Sequence, residues 1–234
     1  ILLDDDLLHL DARSQKPIVD IETGIMGRSL AIDSDAGTLL IGTEDGSVLS
    51  RSLYDSSEMP NLREPTGLQN AGIYSISVDD YGTVWAAGNC SIHFKPIGEV
   101  VWSEYDYCPT INIETPSDMM IIGDSVYLAT TNAGVHILNY ITSSSSGSVS
   151  VTVDSQTDWS TQNFLSSDQI TDLEVVGNHL LIATADSGIN RRDLTAQSWI
   201  ATWSTNNWLA SNQIHGLSLT PGWLHILAGT TVHA

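Results

Sequence analysis

WSTQNFLSSDQITDL runs from Trp159 to Leu173, and WSTNNWLASNQIHGL runs from Trp203 to Leu217. Nine of the fifteen positions are identical at an offset of 44 residues. A unit of that length is therefore repeated, and the rest of the chain is read for the same period first. A second motif recurs more widely. It is a short apolar run ending in small residues: LLIGT at 39–43, VWAAG at 84–88, VYLAT at 126–130, LLIAT at 180–184 and HILAG at 225–229. The successive offsets are 45, 42, 54 and 45. A turn dipeptide precedes each run: Ala36-Gly37, Tyr81-Gly82, Gly123-Asp124, Gly177-Asn178 and Pro221-Gly222. Such residues supply the tight geometry between antiparallel strands.

Each unit reads as four short strands, a to d. In the fourth unit they fall at about 169–176, 179–184, 188–193 and 198–203. No segment carries a sustained helical period with caps. The long offset of 54 is explained by SSSSGSVS at 143–150, a low-complexity insert expected to be a loop between strands c and d of the third unit. Four strands per 40–45 residues are the signature of an all-β propeller. One blade cannot bury both faces of its sheet, so neighbouring blades must stack. Ile170, Leu173, Leu181, Ile182 and their equivalents are expected to form the core between blades.

The boundaries that follow are blades at 25–67, 68–110, 111–164 and 165–208 in a single domain, 1–234. A fifth, composite blade would join 209–234 to 1–24, with N-terminal strands at 7–11 and 17–23 completing C-terminal strands within 213–229. Thr231–Ala234 could equally begin another strand c, which leaves open a piece of a larger ring.

Composition agrees with a packed fold. Of 234 residues, 41% are hydrophobic and 15% are charged, unlike the composition of disordered chains. Lys plus Arg is 8 against 28 Asp plus Glu, a net charge of −20. The only lysines are Lys16 and Lys95, and among the arginines only Arg191 and Arg192 are adjacent. Phosphate binding needs clustered cations, so nucleic acid and anionic membrane surfaces are poor partners. No apolar run approaches the roughly 18 residues of a membrane span, and no signal peptide is recognised. A start at Ile1 suggests a processed form or a fragment.

The stretches DDYGTVWAAG (79–88) and GTLLIGTEDGSV (37–48), with N-x-L-x-S-x-Q-I at 163–170 and 207–214, resemble the propeller repeat of two-component regulators. That repeat carries an Asp, then Gly-Thr-x-Trp, then a strand ending in small residues. Here the Trp is kept as Trp85 but is replaced by Leu40, Tyr127 and Leu181. The resemblance implies a sensor-like domain outside the cytoplasm, extracellular or periplasmic, in a family where some members recognise glycans.

Strands a to d alternate in direction, so the b–c turns and the d-to-a connections share one face. That face would present Glu44-Asp45, Asn89, Asn132 and Asp186 from the turns. The connections add Asn163-Phe164 and Asn207-Trp208. Aromatic rings stack on the apolar faces of sugars while amides and carboxylates bind hydroxyls, so the set Asp45, Asn132, Asp186, Asn163, Phe164, Asn207 and Trp208 suits a glycan or protein ligand. The same residue types also simply make turns, and Phe164 and Trp208 could pack between blades. Trp159 and Trp203 are periodic and read as structural, and Trp85 reads as core.

His9, His93, His136 and His233 all fall in strand c of different units, too dispersed for a zinc site. Asp4–Asp6 and Asp33–Asp35 could bind Ca²⁺ through oxygen, but neither has a calcium-loop pattern and both read better as solvated acids. Cys90 follows strand b and Cys108 follows strand d of the second unit. A disulfide there would stabilise by about 3 kcal/mol and imply an oxidising compartment; two free thiols are the alternative. Asn89-Cys90-Ser91 fits a glycosylation sequon.

No nucleophile elbow, zinc-protease helix, C-x-x-C pair or phosphate-binding glycine loop is present. Catalysis in a propeller would use carboxylates on the inner strands, and Asp118, Asp172 and Glu174 are the candidates. Asp172 aligns with Gly216, so the repeat does not require it. The reading is thus a non-catalytic ligand-binding module. A carbohydrate-active enzyme, glycosidase or lyase, and a structural surface component are the alternatives.

Overall fold

The computed structural model describes residues 2–3, 6–10, 17–22, 27–53, 72–108, 114–145, 148–220 and 222–229. Among them every element is a strand or a turn, and neighbouring strands in every paired register run antiparallel. The chain divides into two compact units. One holds residues 1–113 with 142–152, the other 114–141 with 153–234.

The first unit opens with β1 (Leu2–Leu3), β2 (Asp6–Leu10) and β3 (Pro17–Glu22), a three-stranded sheet. A second three-stranded sheet follows, β4 (Gly27–Asp33), β5 (Thr38–Thr43) and β6 (Val48–Ser52). The third sheet has four strands, β7 (Ser75–Val78), β8 (Val84–Gly88), β9 (Ser91–Lys95) and β10 (Ser103–Asp106). Leu40, Val48, Ile73, Ile76, Val84 and Ala86 form one buried cluster across these two sheets.

The D-x-Y-G-T-x-W stretch explains itself here. Asp79 Oδ1 accepts from the backbone N–H of Tyr81 and of Thr83 at 2.9 and 2.8 Å, which fixes the turn. Its Oδ2 accepts from Trp85 Nε1 at 3.0 Å. A fully buried indole N–H needs such a partner. The units with Leu40, Tyr127 and Leu181 have no indole at this place to satisfy.

The second unit contains most of β11 (Pro116–Ile122), β12 (Ser125–Thr130), β13 (Val135–Ser145) and β14 (Ser148–Trp159), in that order across one sheet. Next come β15 (Ile170–Val176), β16 (His179–Thr184), β17 (Ile189–Asp193) and β18 (Ser198–Trp203). These four match the sequence expectation to within one residue at each end. β19 (Ile214–Thr220) and β20 (Trp223–Ala228) make a two-stranded sheet. The first strands of successive sheets pack side by side, β11 on β15 and β15 on β19. A register shift recurs at the same place in β4, β11, β15 and β19, at Gly27/Ser29, Pro116/Asp118, Ile170/Asp172 and Ile214/Gly216.

The run LLIAT shows why the repeat is apolar without alternation. Side chains alternate between sheet faces. Leu180 and Ile182 join Tyr127, Trp159, Ile170 and Leu173 in the cluster on one face of the sheet. Leu181 and Ala183 join Ile189 and Ile214 on the other. Both faces are covered, so each position must be apolar. Each buried Leu or Ile contributes about 1.5–3 kcal/mol.

One expectation is corrected. Most of the serine-rich segment 143–150 is strand where a loop was expected: β13 extends to Ser145 and β14 begins at Ser148. Valine and threonine around the serines favour the pleated chain, and the hydroxyls of Ser143 and Ser150 bond across the hairpin at 2.7 Å. Near both termini the expected strands form, as β2 and β3 and as β19 and β20. Leu2 and Leu3 fold back and pair with Leu7 and Asp6, so part of the β2 edge is occupied locally. Thr231–Ala234, including His233, lie outside the described residues, as do Asp4 and Asp5.

Candidate functional site

The connection from β14 to β15 and its copy from β18 to β19 are built the same way. Asn163 Oδ1 accepts from Ser160 N at 2.8 Å, and its Nδ2 donates to the Asp158 carbonyl at 2.8 Å. Asn207 repeats this with Ser204 N at 2.7 Å and the Thr202 carbonyl at 2.9 Å. Asp168 accepts from Thr161 N at 2.6 Å, and Asn212 accepts from Thr205 N at 2.8 Å. Both asparagines are thus engaged in holding their own loops.

The b–c turns meet these loops on one face. Gly134 N donates to the Asp168 carbonyl at 3.0 Å, and Gly188 N donates to the Asn212 carbonyl at 2.9 Å. Both glycines have φ of +86°, and a Cβ at either would run into the carbonyl oxygen of Trp159 or Trp203. Asn132 and Asp186 stand exposed on these turns. In the first unit, Asp45 Oδ1 accepts from Thr43 Oγ1 at 2.5 Å and from Ser47 N at 3.1 Å, a turn-forming role. Glu44 pairs with Arg28 at 2.6 Å.

The aromatics of the two loops differ. Phe164 lies stacked on Trp199, with ring centres 5.7 Å apart and planes 18° apart. Trp199 meets Trp159 edge-on at 5.0 Å, and the Arg192 guanidinium lies 4.7 Å from the Trp159 ring centre. Trp208, the counterpart of Phe164, is 78% exposed. It borders a groove of about 460 Å³ lined by Arg191, Trp203, Trp208, Leu209, Leu224 and Ile226.

The inner-strand carboxylates lie at the sheet joints. Asp118 on β11 accepts from Leu173 N on β15 at 3.1 Å, and Asp172 on β15 accepts from Leu217 N on β19 at 2.5 Å. Glu174 accepts from Leu219 N at 3.1 Å. Asp118 and Asp172 occupy the position just after the register shift. At that position in β4, Ser29 Oγ donates to the Ile73 carbonyl at 3.1 Å. The position is therefore a bridge to the next segment, and Gly216 is the copy without a side chain to bridge. Burial, and then the neighbouring charge and hydrogen bond of Asp172, push Asp118 up to about 7.

Two of the strand-c histidines are buried rather than surface groups. His136 Nε2 lies 2.5 Å from Glu114 Oε2 and its Nδ1 lies 2.6 Å from Asp158 Oδ1. The carboxylates approach opposite sides of the ring, so they clamp the imidazole instead of converging on a point. Burial pushes His93 down to about 4, and its Nε2 is 3.1 Å from Ser91 Oγ. Among the described residues no group of three or more acids, histidines or cysteines is arranged to hold a metal ion. Sequence reading missed the clamp because Glu114 and Asp158 each stand 22 residues from His136.

Cys90 and Cys108 form a disulfide, with Cα atoms 4.9 Å apart. The Tyr107 hydroxyl donates to the Gly88 carbonyl at 3.0 Å and accepts from Cys90 N at 3.0 Å, which seats the bridge at the β8–β9 turn. No helix among the described residues is long and apolar enough to cross a membrane.

No protein-family model matches the sequence, and no curated protein matches it. Solved structures do share its fold. The extracellular domain of the hybrid two-component system BT3049 from B. thetaiotaomicron superposes with a TM-score of 0.62 at 15% identity, over 88% of this chain and 26% of that one. The extracellular domain of BT4673 from the same organism gives 0.61 at 16% identity, over 92% and 28%. The computationally designed Ika8 protein gives 0.64 at 15% identity, over 96% and 63%. The chain thus spans about a quarter of the length of the two extracellular domains. The fold common to all three is the likeness, an all-β array of antiparallel sheets that includes four-stranded ones.

Proposed function

We propose that this chain is a propeller-type module that works outside the cytoplasm, extracellular or periplasmic, and binds a glycan through the face carrying its d-to-a loops. The observation that carries the reading is Trp208. It is a large aromatic left 78% exposed beside a groove of about 460 Å³, where its counterpart Phe164 is 50% exposed and stacked on Trp199. An exposed indole bordering a concave, mostly apolar surface is what a sugar face stacks on. Location outside the cytoplasm is supported by the disulfide, which persists in oxidising compartments. It is also supported by the extracellular origin of two proteins that share the fold.

A glycan array probed with the purified chain and with Trp208→Ala tests this. Saturable binding that falls at least tenfold in the variant, with its β-sheet spectrum intact, is expected. A folded chain that retains no glycan overturns the reading and leaves a protein ligand or a surface component.

A second reading, a carbohydrate-active enzyme, is favoured only by Asp118, a carboxyl raised by burial and by the neighbouring Asp172. Both carboxyls accept backbone N–H groups across joints, which is an architectural use. Product release from the array's best glycan that is abolished by Asp172→Asn would support catalysis. Undiminished binding without turnover excludes it.

A further inference from the structure

We draw no further inference here: the strongest candidate, the pocket of about 260 Å³ beside Lys95 between the sheet β4–β6 and the sheet β7–β10, carries nothing, because the chain that follows Leu53 after β6 lies outside the described residues and nothing in the structure shows what covers it.

Discussion

Trp159 and Trp203 occupy the same place in two copies of one loop, and their surroundings differ. Around Trp159 the joint between sheets is filled. Trp199, Arg192 and Tyr127 lie against it, and Phe164 packs on Trp199. Around Trp203, among the described residues, Arg191 stacks on the ring and Trp203 packs at the edge of the Leu181, Ala183, Ile189 and Ile214 cluster, while Trp208 borders the groove. The covering groups at the first joint come from β17 and β18, the third and fourth strands of their sheet. Identical loop chemistry therefore stands against two different sets of neighbours among the described residues.

The sharpest way to break this comparison is truncation of the two tryptophans. Trp159→Ala removes a 6% exposed ring and is expected to cost about 3–5 kcal/mol. Trp203→Ala, half-buried, is expected to cost about 1–2 kcal/mol. Urea denaturation of both variants measures the difference, and equal losses would mean the second joint is as filled as the first. Next come the turn glycines. Gly134→Ala and Gly188→Ala face the same φ and the same carbonyl clash, so each is expected to cost about 2–3 kcal/mol. Unequal midpoints would show that only one loop is rigid.

The carboxylates sharpen the contrast through pH. Asp118 is raised from 3.8 to about 7 in the folded chain, so between those values the native state holds a proton that the unfolded chain has lost. Stability is therefore full below about pH 4 and declines toward pH 7, by at most about 1.4 kcal/mol per pH unit. Asp118→Asn is expected to flatten that decline in thermal melts across pH 4–7. Persistence of the full slope in the variant would place its origin elsewhere. The joint that ends at Gly216 has no such pair to titrate. The smallest expected effect is in the asparagines. Asn163→Ala and Asn207→Ala should each cost about 1 kcal/mol through lost loop hydrogen bonds. A loss of glycan binding in Asn207→Ala without loss of stability would instead make that amide a ligand contact.

The sequence made the strands legible where the period was strong. Runs such as LLIAT are apolar at every position because both sheet faces are covered, and the turn glycines punctuate them. The serine tract misled because composition favoured a loop, while the register of a long hairpin is set by the residues on either side of it. The proposed site was legible only as a face. Phe164 and Trp208 look alike in sequence, and what separates them is Trp199, a residue 35 positions from Phe164 and on another strand. Asp118 and Asp172 look like a catalytic pair until their acceptor roles toward Leu173 and Leu217, 55 and 45 residues on, are seen. Pairings at such separations leave no local pattern to read.

The bridge from Cys90 to Cys108 has a mechanical consequence. It closes a covalent loop around β9 and β10, which lie wholly between the two cysteines. Tension applied along the backbone passes through the sulfurs and bypasses those strands. An oxidised chain pulled from its ends should yield a contour shorter by roughly 60 Å than the reduced chain, at about 3.5 Å per sequestered residue. A module exposed to shear would in this way keep two strands of that sheet shielded from the load while its neighbours unravel.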